Sequence, residues 1–195
     1  MRFLDTRSMA LRESFQNTFE GLNVLVTGHT GFKGSWLSIW LKELGANVTG
    51  YSIDVPTEQS NFKASHLEDK LVDNRGDIRD LEHLQETIKR YDPQIIFHLA
   101  AQPIVLRSYE NPALTFNTNV MGTVNVLEAI RKISSVKAAV CITSDKCYKN
   151  QEWLWGYREN DPLGGEDPYS ASKSMAEIAI SSYVKSFFST KDKTP

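Results

Sequence analysis

The stretch LNVLVTGHTGFKGSWLSIWLKELG, residues 22–45, decides the fold of this 195-residue chain. Its first part is a short run rich in Val and Leu, which predicts a buried β-strand that ends at Gly28. Its last part, residues 34–45, has helical spacing and a glycine at the position where a helix would stop. The apolar stripe of the predicted helix consists of Trp36, Ile39, Trp40 and Leu44.

The turn between this strand and this helix carries glycines at positions 28, 31 and 34, the spacing G-x-x-G-x-x-G. Glycines permit a tight turn and let the backbone approach a pyrophosphate, and the helix N-terminus supplies N–H donors and a positive dipole end. The turn therefore predicts a dinucleotide site. Lys33, inside the turn, either faces solvent or approaches an adenosine phosphate.

Predicted strands and helices alternate along the rest of the chain. Further strands are predicted at 46–53, near 71–73, at 93–101 and at 136–145, and helices at 80–91, 111–133 and 167–188. Near-continuous apolar strands in this alternation indicate a parallel sheet covered on both faces, a doubly wound α/β fold. Ligands of such folds bind beyond the carboxyl ends of the strands.

A tyrosine and a lysine lie four residues apart in YSASK, Tyr169 and Lys173, on the last predicted helix. They are one helical turn apart, so both point the same way. A tyrosine is a weak base at neutral pH because its pKa is about 10, but a neighbouring ammonium group favours the phenolate. The pair therefore predicts a proton acceptor for a substrate hydroxyl.

The composition excludes several classes of protein. The net charge of −2 gives no indication of nucleic acid or of an anionic membrane as a partner, and no apolar run approaches the ~18 residues of a membrane span. Residues 1–20 lack the apolar core of a signal peptide and are expected to be a partly flexible leader. Cys141 and Cys147 form no disulfide framework and no metal motif, which favours reduced thiols in a cytoplasmic protein.

The segments TGHTGFKG, GDIRD, HLAAQ, NVMGT and YSASK occur in the order seen in the extended short-chain dehydrogenases/reductases, and the chain resembles that family from about residue 20 to 188. The resemblance implies a Rossmann-type sheet of strand order 3-2-1-4-5 and NAD as cofactor, with NADP as the alternative. The expected cofactor-binding residues are Gly28, Thr30, Gly31, Phe32, Lys33, Gly34, Ser52, Asp54, Asp77, Ile78, Leu99, Ala100, Ala101, Gln102, Tyr169 and Lys173.

Within the family, TSDKCY, residues 143–148, resembles the sugar-nucleotide 4,6-dehydratases. That resemblance implies oxidation of the sugar at C4, loss of water across C5 and C6, and return of hydride to C6. Tyr169 would take the C4 hydroxyl proton, while Ser144 would bond near the C4 oxygen. Asn119 would help to position Lys173, and Asp145 would protonate the leaving C6 hydroxyl.

Lys146 stands where many of these dehydratases carry the glutamate that abstracts the C5 proton. Here the base would be a neutral lysine, a state that burial and an oxidised nicotinamide favour. Lysine at this position fits the branch acting on CDP-glucose, in deoxysugar and O-antigen biosynthesis. An epimerase or reductase on the same scaffold needs no acid and base at 145 and 146, and a non-catalytic dinucleotide-binding fragment is the third alternative.

Members of the family are much longer than this chain. The resemblance therefore implies that the last sheet strands and the C-terminal substrate domain are missing, and that the chain alone has little dehydratase activity. The expected division is a leader at 1–20, an NAD(P)-binding domain at 21–190 and a tail at 191–195. Relatives often pair through two helices, here 111–133 and 167–188, so a homodimer is expected. Trp153 and Trp155 lie in a loop that either covers the sugar or packs on itself.

Overall fold

The computed structural model describes residues 6–189, with the side chains from residue 8 onward. The tail 191–195 and the first five residues of the leader lie outside this range. The helices are α1 Thr6–Ser14, α2 Phe32–Glu43, α3 Asn61–Ala64, α4 Leu81–Tyr91, α5 Val105–Glu110, α6 Pro112–Phe116, α7 Gly122–Arg131 and α8 Pro168–Tyr183. The strands are β1 Asn23–Thr27, β2 Asn47–Ser52, β3 Val72–Arg75, β4 Ile95–His98 and β5 Ala138–Cys141.

The five strands form one parallel sheet of order β3-β2-β1-β4-β5, which confirms the predicted topology. The centre of the sheet is the run quoted first, because β1 pairs with β2 on one side and β4 on the other. Successive side chains of a strand point to opposite faces. Leu25 accordingly joins the core with Tyr51 and Ile96, while Val24 and Val26 join the core on the other face. Both faces of the central strands are therefore buried, as the near-continuous apolar runs predict.

Helix α2 packs differently from the prediction. Its buried positions are Gly34, Ser35, Ser38 and Leu41, whereas the side chains of Trp36 and Trp40 are 55% and 53% exposed. The predicted apolar stripe therefore differs from the buried face at both tryptophans, although its last member, Leu44, is buried. Small side chains let the helix axis approach the sheet, and this closeness is what the glycine turn below requires.

The predicted helix at 111–133 is continuous but not uniform. It begins as α6, passes through a π-helical turn at Asn117–Met121 and continues as α7. A second π-helical turn, Val184–Phe188, follows α8. Single π turns occur mostly at functional sites, and the first of these two contains Asn119.

The fifth strand is shorter and more exposed than expected. It spans four residues, and Val140 is 43% exposed. Because β5 lies at the edge of the sheet, its outer backbone groups have no neighbouring strand among the described residues.

The described part of the leader is helical and packs on the end of α2. Ser8 Oγ donates to a carboxylate oxygen of Glu43 at 2.6 Å, and Arg12 Nε donates to the carbonyl oxygen of Glu43 at 2.9 Å. The ring of Phe15 lies 6.0 Å from that of Trp40, edge to face. The proposed division between leader and domain stays a prediction.

Across residues 6–189, every helix is too short or too polar to span a membrane.

Candidate active site

The glycine turn closes tightly between β1 and α2. Gly28 has a φ of +75°, and a Cβ there would lie 2.7 Å from the amide nitrogen of Ala100. A Cβ on Gly34 would overlap the carbonyl oxygen of Gly28, so the helix and the turn are in direct backbone contact. The turn therefore needs glycine at both positions for its own packing.

Gly31 has a different environment from the other two glycines. A Cβ there would meet no atom closer than 3.4 Å. Gly31 is also the N-cap of α2, and no side chain caps this helix. The first N–H groups of a helix have no intrahelical partner, so those of Phe32 and Lys33 are available to a ligand. An open glycine beside uncapped N–H donors fits a pyrophosphate.

Ser52 and Asp54, two of the expected cofactor-binding residues, lie at the end of β2: Ser52 is its last residue, and Asp54 is two residues further on. Ser52 is buried, and its hydroxyl oxygen lies 2.9 Å from Nδ1 of His29 and 3.5 Å from the amide nitrogen of Thr30. Asp54 is exposed, and its carbonyl oxygen accepts a 2.6 Å bond from the Thr30 hydroxyl. The glycine turn and the loop after β2 are thus held together.

The imidazole of His29 is fully buried and reaches β3. Its Nε2 lies 2.9 Å from a carboxylate oxygen of Asp73, which also pairs with Arg75 at 2.6 Å. Burial lowers the pKa of His29, and the Asp73 hydrogen bond only partly offsets this effect. A Cβ on Gly50 would overlap the imidazole, so the glycine in β2 makes room for the ring.

Asp77 and Ile78, two of the expected cofactor-binding residues, follow β3. The carboxylate of Asp77 is already bound by Arg79, which lowers the pKa of Asp77 against the effect of partial burial. Its carbonyl oxygen accepts a 3.1 Å bond from the Tyr51 hydroxyl. Ile78 is buried, and its carbonyl oxygen accepts from the Asn125 side chain at 3.0 Å.

The end of β4 is fixed by a chain of buried hydroxyl and imidazole groups. The Thr27 hydroxyl oxygen accepts from the amides of Leu99 and Ala100, each at 3.1 Å, and lies 2.8 Å from Nδ1 of His98. Nε2 of His98 lies 3.1 Å from the Thr123 hydroxyl, which donates to the carbonyl oxygen of Asn119. Because that hydroxyl proton is used, His98 carries its own proton on Nε2. Burial lowers the pKa of His98 to about 3, with repulsion from Lys173 as the second cause.

Asn119 connects three elements from the π-helical turn. Its side-chain oxygen Oδ1 accepts from the backbone amide of Gln102 at 2.8 Å, and its side-chain nitrogen Nδ2 donates to the backbone carbonyl oxygen of Gln102 at 3.1 Å. The same amide donates to the Ser172 hydroxyl at 2.9 Å. Ser172 precedes Lys173, so Asn119 contacts the residue next to the lysine, and its role in positioning Lys173 stays a prediction.

Tyr169 and Lys173 occupy the first two turns of α8. Asp167 caps this helix, and its carboxylate accepts from the Ser170 amide at 2.9 Å. Lys173 is buried, and its ammonium group donates to the carbonyl oxygen of Ile142 at 3.4 Å. Burial lowers the pKa of Lys173, and repulsion from Lys33 acts in the same direction. Tyr169 is half-buried.

A short 3₁₀ turn, Asp145–Cys147, lies beyond β5, and Ser144 is its N-cap. The Ser144 hydroxyl donates to the Asp145 carboxylate at 3.1 Å and accepts from the Lys146 amide at 3.2 Å. Asp145 and Lys146 are exposed. The described residues therefore do not supply the burial that would favour a neutral Lys146, and its role as the base stays a prediction.

Helix α8 stabilises this turn through hydrogen bonds of its side chains. Ser174 donates to the carbonyl oxygen of Cys147 at 2.6 Å, and Thr143 donates to the Glu177 carboxylate. Cys147 is buried, and burial with the nearby Glu177 carboxylate raises its pKa. The turn and the Tyr169–Lys173 pair thus share one support.

The loop that follows packs on itself. The Tyr148 and Tyr157 rings stack at 5.3 Å, and Trp153 lies 5.4 Å from Trp155 and 5.6 Å from Tyr157. Trp155 remains 64% exposed. The described contacts favour packing within the loop, the second of the two expected roles.

Several polar residues at the site received no role from the sequence, although three of them lie inside the quoted motifs. They are His29, Asp73, Arg75, His98, Ser172 and Glu177. The detectable signal was a histidine at the end of each of two apolar runs, VLVTGH and IIFH, where a polar side chain must find a buried partner. No cluster of metal-ligating side chains occurs within residues 6–189.

Comparison with known proteins supports this description. The family model described as GDP-mannose 4,6 dehydratase matches residues 25–189. A protein named CDP-glucose 4,6-dehydratase, from Salmonella typhimurium, is 56% identical over 173 residues, which are 89% of this chain and 48% of that protein.

Two solved structures show the same fold. The UDP-glucose 4-epimerase from Brucella ovis in complex with NAD is 29% identical, with a TM-score of 0.74 over 86% of this chain and 49% of that one. The dTDP-glucose 4,6-dehydratase from Bacillus anthracis in complex with NAD is 29% identical, with a TM-score of 0.70 over 86% and 52%. The chain spans about half the length of the relatives it matches. Since the family model covers most of the chain, the chain belongs to the GDP-mannose 4,6 dehydratase family.

Proposed function

We propose that the chain is the cofactor-binding half of a CDP-glucose 4,6-dehydratase, which converts CDP-D-glucose to CDP-4-keto-6-deoxy-D-glucose. The observation that carries the proposal is the 3₁₀ turn Asp145–Cys147 with its N-cap Ser144. Helix α8 supports this turn through Ser174 and also carries Tyr169 and Lys173. The 56% identity to the Salmonella typhimurium protein supports the same reaction and substrate. Because the chain spans 48% of that protein, turnover is expected to need further polypeptide.

The glycine turn supports NAD as the cofactor. Open Gly31 and the uncapped start of α2 offer N–H donors to a pyrophosphate. When bound, NAD+ supplies an acceptor for the C4 hydride of the sugar and gives that hydride back at C6. Lys173, buried next to the end of β5, keeps a positive charge beside Tyr169 and favours its phenolate.

The chain's own side chains would move three protons. Tyr169 takes the proton of the C4 hydroxyl, while Ser144 donates a hydrogen bond to the C4 oxygen. The resulting 4-keto group makes the C5 proton acidic, and Lys146 removes it. Asp145 protonates the C6 hydroxyl as it leaves as water. Lys146 must be neutral at that step, so we propose that a segment absent from the described residues covers it.

We also propose a homodimer that buries the surface shared by α6, the π-helical turn and α8. Apolar side chains there are exposed in the single chain: Leu114, Met121, Met175 and Ile178 are between 37% and 57% exposed. A contiguous apolar patch of this kind marks an interaction site. A cytoplasmic location, supported by two free thiols, and a role in deoxysugar and O-antigen biosynthesis complete the proposal.

A chimera tests the reaction. Residues 22–188 of this chain would replace the matching half of the Salmonella typhimurium relative, and product would be followed by mass spectrometry. We expect the 4-keto-6-deoxy product from the chimera. Asp145→Asn should abolish water loss, whereas oxidation at C4, read as bound NADH absorbance, continues.

A second candidate is a sugar-nucleotide epimerase, favoured by the TM-score of 0.74 to the Brucella ovis epimerase. An epimerase needs Tyr169 and Lys173 but no acid at 145. An epimerised sugar nucleotide in place of the 4-keto-6-deoxy product, formed equally by the Asp145→Asn chimera, would therefore support the epimerase and contradict the dehydratase.

A further inference from the structure

The buried contacts around Ser52 restrict what its hydroxyl group can offer a ligand. Two partners compete for that oxygen: Nδ1 of His29 at 2.9 Å and the amide nitrogen of Thr30 at 3.5 Å. The amide can only donate to it. The direction of the His29 contact therefore decides whether Ser52 keeps a proton for a ligand.

Asp73 settles that direction. Its carboxylate can only accept hydrogen bonds when ionised, and it faces Nε2 of His29 at 2.9 Å. A neutral imidazole carries one proton, which this contact places on Nε2. Nδ1 is then an acceptor, and the Ser52 hydroxyl must donate to it. Burial lowers the pKa of His29, which keeps the imidazole neutral at neutral pH.

Two further contacts keep this arrangement in place. The imidazole lies flat against β2 because Gly50 has no Cβ, and Phe62 packs edge to face on it at 5.4 Å between ring centroids. Arg75, the cation nearest to this network, is bound to Asp73 at 2.6 Å. Its guanidinium is therefore engaged by the same carboxylate that fixes the proton of His29.

We propose that His29 and Asp73 make Ser52 a hydrogen-bond acceptor without a proton to donate, so that the site selects NAD+ over NADP+. The 2′-hydroxyl of an adenosine ribose can donate to the free lone pair of Ser52. A 2′-phosphate has only acceptor oxygens at neutral pH and would face that lone pair. His29 is a positioning residue here, and the inference rests on the proposed cofactor site.

A double-mutant cycle tests the inference. NAD+ and NADP+ would each be titrated calorimetrically into the unsubstituted chain, Ser52→Ala, Asp73→Asn and the double variant. We expect at least tenfold tighter binding of NAD+ by the unsubstituted chain. The amide created at 73 can donate to Nε2, so the His29 proton can move and Ser52 can offer its own. The preference for NAD+ should then fall ~3- to 10-fold, the effect of one hydrogen bond.

Measuring Asp73→Asn in the Ser52→Ala background allows effects of Asp73 that do not involve the Ser52 hydroxyl to be subtracted. Asp73→Asn would also release Arg75, and the freed guanidinium would attract the 2′-phosphate equally with and without the Ser52 hydroxyl. The coupling energy between the two substitutions therefore reports only the effect that passes through Ser52. We expect Asp73→Asn to shift the preference at least ~3-fold more when Ser52 is present. Equal shifts in both backgrounds, or no shift, would overturn the inference.

Ser52→Ala alone provides an independent reading if Asp73→Asn does not fold. It should weaken NAD+ binding ~5-fold without weakening NADP+ binding, because no hydrogen bond to the 2′-phosphate is lost. Unchanged NAD+ affinity would overturn the inference while leaving the proposed function intact. Binding of neither dinucleotide by the folded, unsubstituted chain would overturn both.

Discussion

The two ends of the site differ in how completely the chain builds them. Beyond β1 and β2, the polar groups are buried and paired: His29 is fully buried, and Ser52 is 6% exposed. Beyond β5, Asp145 and Lys146 are exposed, and Val140 is 43% exposed in the strand that leads to them. The polar groups at the first end are therefore paired within the chain, whereas the side chains at the second end are exposed to solvent.

This difference follows from the topology. The glycine turn, β2 and β3 belong to one continuous part of the chain, so neighbouring segments supply the partners of the polar groups at that end. Strand β5 lies at the sheet edge, and the turn after it is held from one side only, by α8. We therefore expect NAD+ binding to be a property of this chain and dehydration to depend on additional polypeptide.

Gly34→Ala, in the glycine turn at the end of β1, should have the largest effect on the free energy of unfolding. The new Cβ would overlap the carbonyl oxygen of Gly28. Neither backbone segment can yield, so we expect a loss of about 4 kcal/mol or more in the free energy of unfolding. Urea denaturation followed by circular dichroism measures it.

Gly31→Ala is the matched control in the same turn. Its Cβ would have room, with the nearest atom at 3.4 Å, so stability should change by less than ~1 kcal/mol. The same methyl would project toward the proposed pyrophosphate position and weaken NAD+ binding. If Gly31→Ala unfolds the chain while Gly34→Ala does not, the described turn is incorrect.

Asn119→Ala tests the connection between the two ends. It removes the partners of the Gln102 backbone amide and backbone carbonyl, and the bond to Ser172. Each buried polar group left without a partner costs about 1–3 kcal/mol, so we expect ~3 kcal/mol of destabilisation. Asn117→Ala changes an exposed residue of the same turn and should cost less than ~0.5 kcal/mol. Similar losses for both variants would argue against the connecting role.

The buried His98 predicts the response of stability to pH. Its pKa falls from the ordinary 6.5 to about 3 in the folded chain. Below pH 6.5 the unfolded chain therefore binds a proton that the folded chain does not, and stability declines as the pH is lowered. The expected slope is ~1.4 kcal/mol per pH unit from this group, with His29 adding in the same direction.

His98→Gln keeps a donor near Thr123 without a titrating ring, so the slope between pH 4 and pH 6 should become shallower by up to that amount. His66→Asn, at an exposed position, controls for loss of any imidazole. An unchanged slope in His98→Gln would contradict the burial argument.

The exposed face of α2 should give the smallest effect. Trp36→Lys is expected to change the free energy of unfolding by less than ~0.5 kcal/mol, because the side chain is 55% exposed. Leu41→Ala, on the buried face, should cost ~2–5 kcal/mol. A larger cost for Trp36→Lys than for Leu41→Ala would reverse the orientation assigned to α2.

The sequence was most informative where local chemistry leaves one solution. Strand patterns and the glycine turn predicted a doubly wound parallel sheet, because right-handed crossovers permit few arrangements, and the family resemblance implied the strand order. The inner face of α2 was mispredicted because close helix–sheet approach favours Ser35 and Ser38 over larger apolar side chains. The bonds of His29, Asp73 and Asn119 join residues 17 to 53 positions apart, and no periodic pattern reports such pairings.

Calorimetric titration of the 195-residue chain with NAD+ and with CDP-glucose tests most directly whether the chain binds the cofactor but needs further polypeptide for dehydration. We predict that the folded chain binds NAD+, that Gly31→Ala weakens this binding, and that CDP-glucose is not turned over by the chain alone. A folded chain that fails to bind NAD+, or one that dehydrates CDP-glucose unaided, would contradict this prediction.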